Sequence, residues 1–187
     1  HLILVPWFFG LKPGGLSYDV MLHFATLFAT LLLYGKTFLS IIKEALLAIK
    51  KGSIKEAMLT KILLASFPAF FFGYFFNDYI ERHMRSPYVC GIMLILVSIL
   101  MIVAEGKKKG KTSEINYITA LSVGVAQALA LIPGTSRSGI TITVGLLFGL
   151  ERKEAVRFSF LLSIPVIFGA GVYELRHLDL GGESMTV

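Results

Sequence analysis

The residues best suited to chemistry lie in one run, Leu131-Ile132-Pro133-Gly134-Thr135-Ser136-Arg137-Ser138-Gly139-Ile140-Thr141. It places one arginine among four hydroxyls, between residues 117–132 and 140–150, both almost free of charge. An arginine at membrane depth costs about 2.5–3.5 kcal/mol even on the lenient insertion scale, so Arg137 needs a partner. Gly134 and Gly139 permit tight backbone and close approach of a ligand. If a helix begins after the Pro133-Gly134 turn, Ser136 or Ser138 caps it, and free N–H groups face outward at its positive end. Arg137 adds a bidentate fork suited to phosphate oxygens, and Thr135, Ser136, Ser138 and Thr141 add hydroxyls. The sum is an anion site unlike a soluble P-loop, whose GK[ST] ending is missing. The alternative is that Gly, Ser and Thr only allow close helix packing, with Arg137 paired to a distant carboxylate. Gln127, two turns before Pro133, either reaches the same cavity or makes a helix–helix hydrogen bond.

Composition says what must carry such a run. Of 187 residues, 55% are hydrophobic and 16% charged, with a mean hydropathy of +0.75, which is the integral membrane class. The net charge of +6 comes mostly from short clusters between apolar segments. That pattern points to membrane topology and away from nucleic-acid binding. The single cysteine, Cys90, cannot form an internal disulfide. No signal peptide with a basic start and small-residue cleavage site is visible, and His1 opens the chain inside an apolar stretch, as in part of a longer protein.

A hydrocarbon core of about 30 Å needs about 20 helical residues. Residues 19–34, 57–76, 87–104 and 155–173 are predicted to span, with kinks at Pro68 and Pro165. Lys36, Lys43, Lys50, Lys51, Lys55 and Lys61 mark one loop, and Lys107, Lys108, Lys109 and Lys111 another. Between them residues 77–86 balance Arg82 and Arg85 with Asp78 and Glu81. Positive-inside counting puts the lysine loops in the cytoplasm and the balanced loop outside. Phe38, Ile41, Ile42, Ala45, Leu46 and Ile49 recur at helical spacing, as an interfacial helix or as an extension of the neighbouring span. Gly52 would end that helix, and Ser53 with Glu56 would form a capping box for the next.

Residues 117–150 would make about 51 Å of helix, short of the roughly 60 Å needed for two crossings. The stretch is therefore predicted to be a re-entrant hairpin that enters from the cytoplasm and returns there. Irregular backbone at such depth survives only where protein or water shields it, so the tip should line a cavity. A weak repeat adds to this: Val5-Pro-Trp-Phe-Phe-Gly-Leu11 resembles Val144-Gly-Leu-Leu-Phe-Gly-Leu150 at a constant offset of 139 (144 − 5). Each segment precedes a turn and then a span, and charge counting runs those spans in opposite directions. The expected fold is an all-α integral membrane protein, a polytopic helical bundle with inverted-topology repeats and re-entrant helix hairpins. It forms a single membrane domain over residues 1–187, with 1–116 as the first repeat and 117–187 as the second. Asp19 reads as an interface or helix-start residue, and His23 as a packing histidine. His177 falls in an extracytoplasmic tail, and no His/Cys cluster with metal spacing appears.

PGTSRSGITIT, followed by FGLERKEAVRFSFLLSIPVIFGAG, resembles the second signature of the bacterial undecaprenyl-pyrophosphate phosphatases, the bacitracin-resistance family. HLIL and YDVMLHFATLFATLLLYG are similar to that family's first half, so the likeness runs along essentially the whole chain. The resemblance implies a membrane hydrolase of the bacterial inner membrane, open to the extracytoplasmic side. It would convert a C55 lipid pyrophosphate to the monophosphate, recycling the carrier for peptidoglycan synthesis. A secondary transporter or flippase of a phosphorylated lipid is the rival, since broken helices and inverted repeats serve either.

By the same resemblance Ser136 and Arg137 match the family's phosphate-binding pair and Thr141 its closing threonine. His1 matches the histidine ending the first signature, as acid, base or orienter, and Gln127 corresponds to a first-half glutamate. The catalytic candidates are thus His1, Ser136 and Arg137. Gly134, Thr135, Ser138, Gly139, Thr141 and Gln127 are the substrate-binding candidates. The rest of the first signature is expected upstream of His1, with two glutamates and a serine nucleophile, and further spans are expected after Val187. The resemblance also implies a divalent cation, magnesium or calcium, with ligands not identified in this chain. The expected partners are a polyprenyl pyrophosphate lipid and the bilayer, and a homodimer is left open.

Overall fold

The computed structural model describes residues 4–10, 16–53, 57–106 and 112–178. Seven helices account for nearly all of them: α1 (Leu4–Phe8), α2 (Leu16–Lys51), α3 (Met58–Met84), α4 (Pro87–Gly106), α5 (Tyr117–Leu129), α6 (Arg137–Leu147) and α7 (Arg152–Leu178). Among the described residues no strand forms, only one isolated bridge between Thr112 and Leu150. Helices α2, α3, α4 and α7 are each long and apolar enough to cross a membrane. The protein is an all-α membrane protein, and its aliphatic and aromatic side chains cover much of the outer surface, as bilayer-facing residues must.

The four predicted spans fall inside these four helices, except that Ala57 is the N-cap of α3. Residues 38–49 do not form a separate interfacial helix, because α2 continues unbroken through them for 36 residues, about 54 Å. The stripe has a packing reason: Ile41 and Ala45 are buried, and Ile41 joins the main core. Gly52, at φ +72°, stops the helix in a Schellman motif, its N–H donating to the Ile49 carbonyl and that of Ser53 to Ala48. The expected capping box of Ser53 with Glu56 lies partly outside the described residues. Ser53 serves the preceding helix, Glu56 lies outside the described residues, and α3 starts after Ala57 without a side-chain cap. Pro68 and Pro165 both stand inside helices, α3 and α7.

The core is built from Ile62 and Ala65 of α3, Ala120 and Val123 of α5, and Phe158, Leu161 and Leu162 of α7. Small residues allow the close contact. A Cβ on Gly124 would strike the Ala65 backbone, so α5 lies directly against α3.

Residues 117–150 form the expected hairpin. Helices α5 and α6 have 13 and 11 residues, about 20 and 17 Å, and neither alone crosses a 30 Å core. Its base is clasped where the chain enters and leaves: the Thr112 N–H donates to the Gly149 carbonyl (3.3 Å), and the Glu151 N–H to the Thr112 carbonyl (2.9 Å). Beside the clasp, Arg152 at the start of α7 pairs with Glu105 at the end of α4. Entry and exit therefore share the side of the lysine loop.

The repeat extends to hydrogen bonds. The Phe9 N–H donates to the Val5 carbonyl, and the Phe148 N–H to that of Val144; Gly10 donates to Trp7, and Gly149 to Leu146. All four pairs keep the offset of 139, and both glycines are left-handed, at φ +65° and +87°.

Candidate active site

The tip of the hairpin follows from three local choices in sequence. The end of α5 tightens into successive turns, with the Leu131 and Ile132 N–H groups donating to Ala128 and Leu129. Pro133 has no N–H with which to continue them. Gly134 then takes φ +93°, a conformation costly for any residue with a Cβ, and a Cβ there would also run into the Cys90 backbone. Cys90 lies in the first turn of α4, so the tip rests near the end of α4 remote from the lysine loop.

Ser136 caps α6, its hydroxyl accepting the Gly139 N–H at 3.2 Å while keeping its own proton free to donate. The Ile140 N–H is taken by the Ser136 carbonyl (2.8 Å). The N–H groups of Arg137 and Ser138 have no protein acceptor among the described residues. They point out of the positive end of the α6 dipole, next to the Arg137 side chain. Arg137 is half-buried, and among the described residues it has no carboxylate partner.

Arg137 and Gln127 share the wall of one cavity of about 340 Å³ between α2, α3, α7 and the hairpin. Among the described residues the rest of that wall is apolar, including Leu22, Ala69, Leu131 and Ile167, apart from the hydroxyl of Thr26. Gln127 is 2% exposed, and neither its amide nitrogen nor its carbonyl oxygen has a hydrogen-bond partner. Of the two roles open to it, the helix–helix hydrogen bond is not made. A buried carboxamide left unpaired costs about 1–3 kcal/mol.

The remaining candidates fall into distinct places. Ser138 is exposed beside Ser136. Thr135 is buried, and its hydroxyl has no partner. Gly139 packs on the Ser136 hydroxyl and the Met101 sulfur. Thr141 is buried away from the cavity wall, its hydroxyl reaching the carbonyls of Arg137 (2.8 Å) and Ser138 (3.2 Å) and the Ser159 hydroxyl on α7 (2.7 Å). It has one proton, directed to the Arg137 carbonyl, so Ser159 donates to it. Ser159 was not singled out in the sequence; a lone serine in an apolar span gives no sign of its partner eighteen residues away. His1 lies outside the described residues, as do the side chains of Asp19, His23 and His177.

Among the described residues no three His, Cys, Asp or Glu side chains come together to hold a metal. Among the described residues the cavity wall carries Arg137 and no carboxylate, so these residues do not fit a divalent ion.

Residues 1–186 match the model of the bacitracin resistance protein BacA family. The chain belongs to this family. It is 42% identical over 179 residues to a protein of Elusimicrobium minutum named undecaprenyl-diphosphatase, covering 96% of this chain and 69% of that relative. A relative with the same name in Pelotomaculum thermopropionicum is 41% identical over 184 residues, 97% of this chain and 69% of its own length. Another in Rubrobacter xylanophilus is 41% identical over 183 residues, 94% and 67% respectively.

Proposed function

We propose that this site hydrolyses undecaprenyl diphosphate to undecaprenyl phosphate and phosphate, recycling the lipid carrier for peptidoglycan synthesis and conferring bacitracin resistance. The observation that carries it is the presence, on one cavity wall inside a membrane bundle, of an arginine with no carboxylate partner among the described residues and a buried, unpartnered glutamine. Relatives named undecaprenyl-diphosphatase supply the substrate.

In this reaction a hydroxyl or water attacks the terminal phosphorus while the bridging P–O bond breaks, and where a hydroxyl attacks, water then releases the phosphate from it. The lipid monophosphate leaves with the electron pair on the bridging oxygen; one proton of the water stays on the released phosphate as its P–OH, and the other goes to a phosphate oxygen or to solvent. The protein's task is to position the group and to stabilise charge on it. The Arg137 fork holds two non-bridging oxygens, and the free N–H groups of Arg137 and Ser138 add donors already aimed from the helix end. The hydroxyls of Ser136 and Ser138 extend this cradle at the tip. The Gln127 amide donates to phosphate, and its carbonyl accepts from water or a protonated oxygen. In the same proposal His1 is the acid, base or orienter of the water.

A divalent cation, magnesium or calcium, enters the proposal through the family resemblance alone, and no step is routed through it. The inner membrane, with the site open to the extracytoplasmic face, is supported by the lysine-rich base of the hairpin and by the tip's contact at the far end of α4. The division into repeats 1–116 and 117–187 is supported by the matched hydrogen bonds at offset 139. The partners are the polyprenyl pyrophosphate and the bilayer, with a homodimer left open.

Phosphate release from undecaprenyl diphosphate by the purified protein in detergent tests the reading. Arg137→Ala should lower kcat/KM by at least about a hundredfold, the scale of losing one charge-stabilising donor set. Wild-type release by that variant would remove Arg137 from the reaction. Lipid transfer across vesicles by a hydrolysis-dead variant would instead point to a carrier.

A further inference from the structure

We infer that the groove between α3 and α5 holds the isoprene units nearest the pyrophosphate, and that Gly73 and Leu131 form the passage into it. The inference rests on the lipid pyrophosphatase reading and adds the place of the substrate's tail.

The groove is a second cavity, about 270 Å³, walled by Phe72, Phe76, Tyr79, Leu129, Leu131 and Ile132 among others, with no charged side chain among the described residues. Leu131 belongs to its wall and also to the wall of the Arg137 cavity, so the two spaces meet at one side chain. Helix α3 tells the same story from the other side. Ala69 lines the Arg137 cavity and Phe76 lines the groove, with Gly73 between them. The spacing i, i+4, i+7 puts all three on one helix face. A Cβ on Gly73 would stand 3.8 and 3.9 Å from the two Leu131 methyl carbons, so any larger side chain enters the gap between the cavities.

A groove on a lipid-facing surface would accept any acyl chain. This one is distinguished by adjoining the anion site at Leu131, so that a chain bonded to a phosphate at Arg137 would lie next to it. Aromatic and branched aliphatic walls suit a methyl-branched, unsaturated chain, which packs against ring faces and Leu methyls. An isoprenoid is therefore the occupant.

Two measurements test this. In the first, kcat/KM is measured for undecaprenyl diphosphate and for a single-isoprene pyrophosphate, in wild type and Gly73→Leu. The ratio of long to short substrate should fall about tenfold or more, the scale on which misplaced methylene groups discriminate. An unchanged ratio in a folded variant overturns the groove while leaving hydrolysis intact. Absence of phosphate release from wild type overturns the hydrolase reading instead. In the second, wild-type protein is photolabelled by a polyprenyl pyrophosphate with a diazirine in its second isoprene unit. Label on Phe72, Phe76 or Leu129, competed by unlabelled polyprenyl pyrophosphate and not by phospholipid, is expected. Label confined to other lipid-facing helices, or competed equally by phospholipid, overturns the proposal.

Discussion

Gln127 offers a prediction in which stability and activity move in opposite directions. Its side chain is buried and both polar atoms lack partners, so the folded protein carries an unsatisfied carboxamide. Replacing Gln127 by Met keeps the length and volume and removes both polar atoms. The unpaired group's penalty of about 1–3 kcal/mol should be relieved, raising stability by that amount. For a domain of this size each kcal/mol shifts Tm by about 2–4 °C, so a rise of at least about 2 °C is expected. If the same carboxamide donates to the substrate's phosphate, a hydrogen bond to a charged group is lost, about 1.5–3 kcal/mol. That converts to a fall of roughly ten- to a hundredfold in kcat/KM, at 1.4 kcal/mol per decade. Thermal unfolding in detergent and phosphate release from undecaprenyl diphosphate, on the same preparation, are the assays. A Met variant that melts lower and hydrolyses at the wild-type rate would refute the reasoning, since Gln127 would then be held by a partner and have no role toward the anion.

Two further predictions concern how the hairpin is held. Thr141→Val deletes the hydroxyl that joins Arg137's carbonyl to Ser159 and leaves the Ser159 hydroxyl buried without an acceptor, so it should cost about 1–3 kcal/mol. Ser159→Ala should cost less, and the double variant clearly less than the sum, which a double-mutant cycle on unfolding free energy would read. Gly134→Ala should prevent the tip from seating, because it combines φ +93° with a clash into Cys90, and a severe loss of folded protein by size-exclusion is expected. Gly149→Ala is its control: φ is +87° but nothing crowds the added methyl, so only the conformational cost of about 1–2 kcal/mol should appear.

The bundle and the hairpin were legible because the bilayer imposes a length rule. Residues 117–150 are too few for two crossings and carry Pro133-Gly134 near the middle, which leaves re-entry as the main solution. The continuity of α2 was less legible, since lysines flanking Ile41 and Ala45 suit an interfacial helix as well as a buried one. Only the core packing of Ile41 decides between them. At the site, Arg137 and the Ser136 cap followed from local sequence, because capping is an interaction within one turn. What Gln127 and Thr141 touch was not legible. Their surroundings come from α2, α3 and α7, and sequence spacing within the hairpin says nothing of those. Thr141 reads as one more hydroxyl of the cradle, yet its oxygen is spent on α7.

That division of labour explains why the run is so dense in small and polar residues. A helix start that offers free N–H groups and an arginine to a ligand has little of its own to hold it at depth. Here the restraint is supplied from behind: Gly134 against α4, Thr141 against Ser159, and the Thr112–Leu150 clasp at the base. These contacts leave the front face, with Arg137 and the uncapped N–H groups, without a protein acceptor or carboxylate among the described residues. Donors fixed in advance need no reorganisation when charge develops on a phosphoryl group, which is the condition for electrostatic catalysis. The same rigidity makes the back contacts and the front donors separable by experiment. Disturbing Thr141 or Ser159 should affect folding and activity together, whereas Gln127→Met should part them, with the more stable protein being the worse catalyst.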